Sequence, residues 1–196
     1  MSMPLPETTA ELMVLVARET ARMSYPSGMT HPPKPVVKGK TKKTVEDYFA
    51  DVFPLQEVWD DATRVAANFE AWHLGRVKEM AEAIKAHVPR HNKREAVAAK
   101  FLNTFLHQLM KYERCRPLWS KLYLPLDRRV FDALRRLHAP ALECVRPHLS
   151  ERSYALEYDV HLEIQEALLS LIRELNRRPE AEFKFKSRIE LNLLWV

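Results

Sequence analysis

Glycine is scarce in this sequence: three occur in 196 residues, at Gly28, Gly39 and Gly75. That scarcity excludes a glycine-rich phosphate loop. It also argues against a β fold built on tight hairpins, whose turns need residues at positive φ. Cysteine is scarcer still. Cys115 and Cys144 have no metal-type spacing and are too few for a disulfide framework. They read as small buried apolar residues of a chain kept in a reducing compartment. No apolar run reaches the length of a membrane span, and the N-terminus lacks a signal-peptide pattern, so the expectation is a cytoplasmic protein with no membrane partner. No segment alternates polar and apolar residues with a period of two, and no internal repeat is present, which speaks against a sheet.

What is present is an ordinary globular balance, 46% hydrophobic and 29% charged residues, with a formal net charge of +5. The charge is local. Residues 26–43 contain Lys34, Lys38, Lys40, Lys42 and Lys43 and no acid, and the rest of the chain balances. This proline-rich stretch reads as a loop or arm. It either neutralises phosphates without reading sequence or is a solvated loop that binds nothing.

Apolar residues recur at three- and four-residue steps through most of the remainder. One helix opens near Pro6 and stops before Pro26. A second starts at Thr44, a cap candidate with Asp47 three residues on, and ends near Pro54. A long pattern runs from Leu55 to about His87, with Gly75 as a possible break. Further helices are expected over 95–113, 127–137, 140–145, 153–176 and 185–194. The expectation is an all-α domain of about eight helices spanning residues 1–196, with boundaries good to about three residues. It is read as two lobes with a cleft between them.

The segment Leu124-Pro125-Leu126-Asp127-Arg128-Arg129-Val130 holds the most chemistry. Asp127 stands at the mouth of an amphipathic helix, where a carboxylate caps free N–H groups and where an anion is also favoured. Lys100 lies on the helix before it. A lysine partly withdrawn from water loses affinity for its proton and becomes an amine nucleophile, able to form a Schiff base with a sugar carbon. A nearby carboxylate would stabilise the cationic sugar or shuttle protons. The plainer alternative is a surface lysine and a helix cap.

The order of Ala99-Lys100-Phe101-Leu102-Asn103-Thr104-Phe105 and then Leu124–Val130 resembles the helix–hairpin–helix superfamily of DNA glycosylases. There, a helix bearing the nucleophilic lysine precedes a Pro-Val-Asp type segment. The long separation between lysine and aspartate, and the terminal Ile189-Glu190-Leu191-Asn192-Leu193-Leu194-Trp195, are similar to the archaeal 8-oxoguanine glycosylase branch. The resemblance covers about residues 85–196. It implies that Lys100 is the nucleophile, that Asp127 stabilises the sugar cation, and that the target base is flipped out of the duplex. Trp195 would stack on that base. It implies a monomer acting on damaged double-stranded DNA, nucleoid-associated, without metal or organic cofactor. The family's hairpin carries a Leu-Pro-Gly-x-Gly type turn. Here Val88-Pro89-Arg90-His91-Asn92 stands in its place without glycine, so either the turn is built differently or Arg90, Lys93 and Arg94 hold the phosphate.

Other features stay open on their residues. Arg128, Arg129, Arg135 and Arg136 form either a phosphate-facing stripe or the polar face of an ordinary amphipathic helix. Trp59 and Trp72 have core-type spacing. His107, seven residues after Lys100, could influence the lysine's basicity. No histidine has metal-ligand spacing. The rival function is a non-catalytic nucleic-acid-binding or adaptor protein on the same scaffold.

Overall fold

The computed structural model describes residues 11, 13–18, 41–88, 91–150, 156–177 and 183–194. The chain is all-α, and no strand occurs among the described residues. In order, the elements are α1 (13–18), α2 (Thr41–Asp47) with a π turn (Tyr48–Val52), α3 (Leu55–Asp60), α4 (Ala62–Ala67), α5 (Phe69–Ala83) and α6 (His91–Leu109). A 3-10 helix (Glu113–Leu118), α7 (Arg128–Arg136), a 3-10 helix (Pro140–Ser150), α8 (Tyr158–Arg177) and a closing 3-10 helix (Arg188–Leu194) follow.

The core is organised around α6. Ala96 to Ala99, Phe101 to Asn103, Phe105, Leu106 and Leu109 are all buried, so apolar residues cover nearly the whole circumference, as a helix enclosed by neighbours requires. α5 and α8 both pack on it. Phe105 stacks on Phe49 with centroids 3.9 Å apart and planes 3° from parallel, and Phe53 meets Phe105 edge-on at 5.0 Å. The π turn that carries Phe49 is thereby fixed to the C-terminal third of α6. Trp59 and Trp72 pack against this core, in keeping with their spacing.

Several boundaries differ from the pattern reading. The long helix expected from Leu55 breaks at Asp61 and Asn68, and α5 runs unbroken through Gly75. The cause at Asp61 is a cap: its carboxylate accepts a hydrogen bond from Arg64 N–H at 2.9 Å, which satisfies an otherwise orphaned donor and starts a new helix. Nothing lies within 4 Å of a Cβ placed on Gly75, so neither packing nor backbone demands glycine there. Thr44 is inside α2 rather than capping it, and its Oγ1 lies 2.9 Å from His87 Nε2. Pro147 sits within a 3-10 helix instead of ending a helix before it. Of the two cysteines, Cys115 is buried and Cys144 is exposed, against the expectation for the second.

Truncating Phe105 would remove the stacked and edge contacts together and leave a void in the buried core. Phe105→Ala is expected to lower the unfolding free energy by about 3–5 kcal/mol in urea titrations. A loss below about 1 kcal/mol would show that α6 is not the centre of the fold.

Candidate active site

Lys100 emerges from a buried helix. Between Ala96 and Asn103 it is the one residue that is not buried. It begins a less enclosed stripe that continues through Thr104, His107 and Gln108, at the three- and four-residue steps of one helix face. Thr104 Oγ1 donates back to the Lys100 carbonyl at 2.8 Å, so the backbone of this turn is doubly used. Burial is the dominant influence on the amine and pulls its pKa below the ordinary lysine value; the charge of Asp127 acts in the opposite direction. His107 is not among the main influences on the amine. Its own pKa is lowered by burial, and its ring lies against Trp119, two helical turns from the amine's own position.

Asp127 is the N-cap of α7, as its position predicts. Its backbone is extended, and Oδ1 accepts a hydrogen bond from Val130 N–H at 3.0 Å. The cap and the charge near Lys100 are therefore the same carboxylate, so the two readings of this residue are compatible. The two groups form no direct ion pair, yet the field of Asp127 reaches the amine. The charge of Asp127 is thus felt at a lysine 27 positions earlier in the sequence.

The proposed phosphate contacts fare differently. Lys42 and Lys43 belong to α2 and not to an extended arm, which corrects the expected limit at residue 43. They pair with Glu46 at 3.8 Å and Asp47 at 2.9 Å, one helical turn on, because a lysine and an acid at that spacing share a face. Arg94 donates from Nε to the Val88 carbonyl at 2.6 Å, tying α6 to the described residue that follows α5's last turn. Lys93 stands one residue before it, half-buried. Arg135 binds Asp132 at 2.7 Å, and Arg136 donates to the Asp132 carbonyl at 3.0 Å, as on an ordinary amphipathic helix. Arg129 is exposed on the same helix. Lys38, Lys40, Arg90, Trp195 and the side chain of Arg128 lie outside the described residues.

The residues that sequence reasoning missed are buried and polar. Tyr158 O–H lies 3.3 Å from His73 Nδ1, His73 Nε2 lies 2.7 Å from Asn103 Oδ1, and Asn103 Nδ2 lies 3.5 Å from His161 Nε2. Because Asn103 Oδ1 can only accept, His73 donates from Nε2 and accepts at Nδ1, while His161 accepts at Nε2. Burial holds both rings in the neutral form, which this arrangement of donors and acceptors accommodates. Burial is the leading cause that lowers His73 to about 4 and His161 to about 3. The chain ties α5, α6 and α8 together one turn beyond Lys100. Its sequence signal is polar residues interrupting otherwise apolar helix faces: His73 between Phe69 and Val77, Asn103 between Leu102 and Phe105, and His161 between Tyr158 and Ile164.

A separate cavity of about 450 Å³ opens between the 3-10 helix Pro140–Ser150 and α8, lined by Ala141, Cys144, Val145, Leu162 and their neighbours. It includes neither Lys100 nor Asp127. Among the described residues, no group of three or more His, Cys, Asp or Glu side chains is arranged to hold a metal ion, and no helix is long and apolar enough to cross a membrane. No protein-family model matches the chain, and no curated protein or solved structure shows significant similarity to it.

The neutral histidine pair fixes the sign of the acid response. Unfolded histidine takes up a proton near 6.5, whereas His73 and His161 resist it until about 4 and 3. Stability is therefore whole above pH 6.5 and is lost as pH falls from there through the folded values. Urea midpoints measured from pH 7.5 to 5 are expected to decline below 6.5, with a shallower slope in His161→Gln. A midpoint that rises on acidification would overturn the neutral pair.

Proposed function

We propose that the protein is a DNA glycosylase/lyase that excises a damaged base through a Schiff base on Lys100. The observation that supports it is the placement of one half-buried amine, its proton affinity reduced by burial, within the field of one oriented carboxylate. An amine must be unprotonated to attack, and burial shifts it in that direction. The resemblance described above supplies the substrate class.

In this reading the target nucleotide is extruded from the duplex. The neutral Lys100 amine attacks C1′ of its sugar, and the bond from C1′ to the base nitrogen breaks with its electron pair passing to the leaving base. Asp127 stabilises the positive charge that develops on the sugar. The amine gives one proton and the base gains one; the C1′–O4′ bond then breaks, O4′ takes the second amine proton, and the opened sugar is held as an imine on Nζ. Loss of a C2′ proton then expels the 3′ phosphate and cleaves the strand. An oxidised purine is the base class that the resemblance favours.

The pairing of Lys42, Lys43, Arg94 and Arg135 within the protein assigns them lesser roles in holding DNA than their charge suggests. Arg129 is exposed beside the Asp127 cap and is the better placed phosphate contact.

Borohydride reduction in the presence of duplexes bearing oxidised purines or abasic sites tests the reading. A covalent adduct is expected with the wild type and none with Lys100→Gln. Asp127→Asn is expected to slow adduct formation on the order of a hundredfold. Binding of duplex DNA without any adduct would replace the enzyme with a non-catalytic nucleic-acid-binding protein.

A further inference from the structure

Asp127 does not hold its own position. The irregular stretch 122–127 that delivers it lies beside α8, and one side chain of that helix grips it. Gln165 is fully enclosed, and its side-chain amide makes both hydrogen bonds that a neighbouring strand would make. Nε2 donates to the Leu124 carbonyl at 2.8 Å, and Oε1 accepts from Leu124 N–H at 2.9 Å. Leu124 is three residues before Asp127. Between them Pro125 has a fixed φ, and Leu126 is buried. A shift at Leu124 is therefore carried forward to the carboxylate with little slack.

Arg188, at the start of the closing 3-10 helix, reinforces this grip from behind. Its Nε donates to the Gln165 carbonyl at 2.9 Å, and its guanidinium reaches Glu166 at 3.2 Å and the Lys121 carbonyl at 3.4 Å. It also lies over the Tyr123 ring, 4.9 Å from the centroid. The stretch from Lys121 to Leu124 is thus fastened at both ends to α8 and the C-terminal element. The same α8 is tied to α6 through His161 and Asn103, one turn from Lys100. Both halves of the candidate site are referenced to one helix.

We propose that Gln165, backed by Arg188, is the positioning residue that holds the Asp127 carboxylate in register with the Lys100 amine. The catalytic consequence rests on the glycosylase/lyase reading; the geometric claim does not. Neither residue touches the reacting groups.

The test separates the two. Asp127 is the one charge acting on Lys100 among the described residues, so retreat of the carboxylate lowers the pH at which the amine becomes reactive. The pH midpoint of Lys100 acetylation by acetic anhydride, read by peptide mass spectrometry on the full chain without DNA, reports that distance. Gln165→Met keeps length and adds no charge. Arg188→Lys keeps charge but loses the fork, and it decides the matter if Gln165→Met does not fold. In folded variants the midpoint is expected to fall, in the same direction as in Asp127→Asn. Borohydride adduct formation at saturating duplex is expected to fall at least tenfold. A midpoint equal to that of the wild type overturns the proposal, whatever happens to adduct formation, since the carboxylate has then not moved. A lowered midpoint in a protein that forms no adduct even as wild type upholds the positioning role and removes the glycosylase reading.

Discussion

A lysine set into a helix that its neighbours enclose is the constraint on which the site depends. α6 has almost no face to give to water between Ala96 and Leu109. Lys100 stands there on the less enclosed stripe it shares with Thr104 and His107. Enclosure by α5 and α8 serves two ends at once. It supplies the apolar burial that holds the domain together, and it removes water from one side of an amine. The stability of the core and the lowered proton affinity of the lysine have the same source, so loosening α6 would weaken both.

The second half of the site is assembled from afar. Helix α7 places Asp127 at its N-terminus by a local rule, the hydrogen bond to Val130 N–H. Where that N-terminus lies in space follows from Gln165, 41 residues beyond Leu124, and from Arg188 behind it. Buried polar side chains are costly unless their partners are complete. In this protein Gln165 has both of its backbone bonds, and the His73–Asn103–His161 chain has a consistent set of donors and acceptors. Directional bonds of this kind fix orientation in a way that apolar packing around α6 does not.

This division explains which parts of the molecule could be read from the residues. The all-α class followed from helical periodicity and from scarce glycine. The Asp127 cap followed from a carboxylate before an amphipathic run. These are rules acting over four or five residues. Breaks were less legible where two local signals competed. Gly75 carried the weaker claim because α5 continues through it without strain, whereas Asp61 supplied a cap and won. The lysines at 42 and 43 looked like part of an arm because their helix partners, Glu46 and Asp47, lie beyond the segment that was read as a unit. Gln165 was invisible for a different reason. A glutamine on an apolar helix face signals that some polar partner exists, but not which one, because the partner is the backbone of a distant loop.

In the proposed glycosylase/lyase reaction, Lys100 and Asp127 would have to satisfy two opposed requirements. An attacking amine must shed its proton, while the cationic sugar that follows needs a negative charge nearby. A direct ion pair would meet the second at the expense of the first, since an adjacent carboxylate holds the proton on the amine. The geometry avoids this. Asp127 is near enough for its charge to be felt but forms no ion pair, and burial outweighs it. Its Oδ1 is engaged by the Val130 N–H, and the positive end of α7 partly offsets its field. The helix cap therefore orients the carboxylate and also moderates it, while the grip of Gln165 on Leu124 fixes the stretch that leads into it.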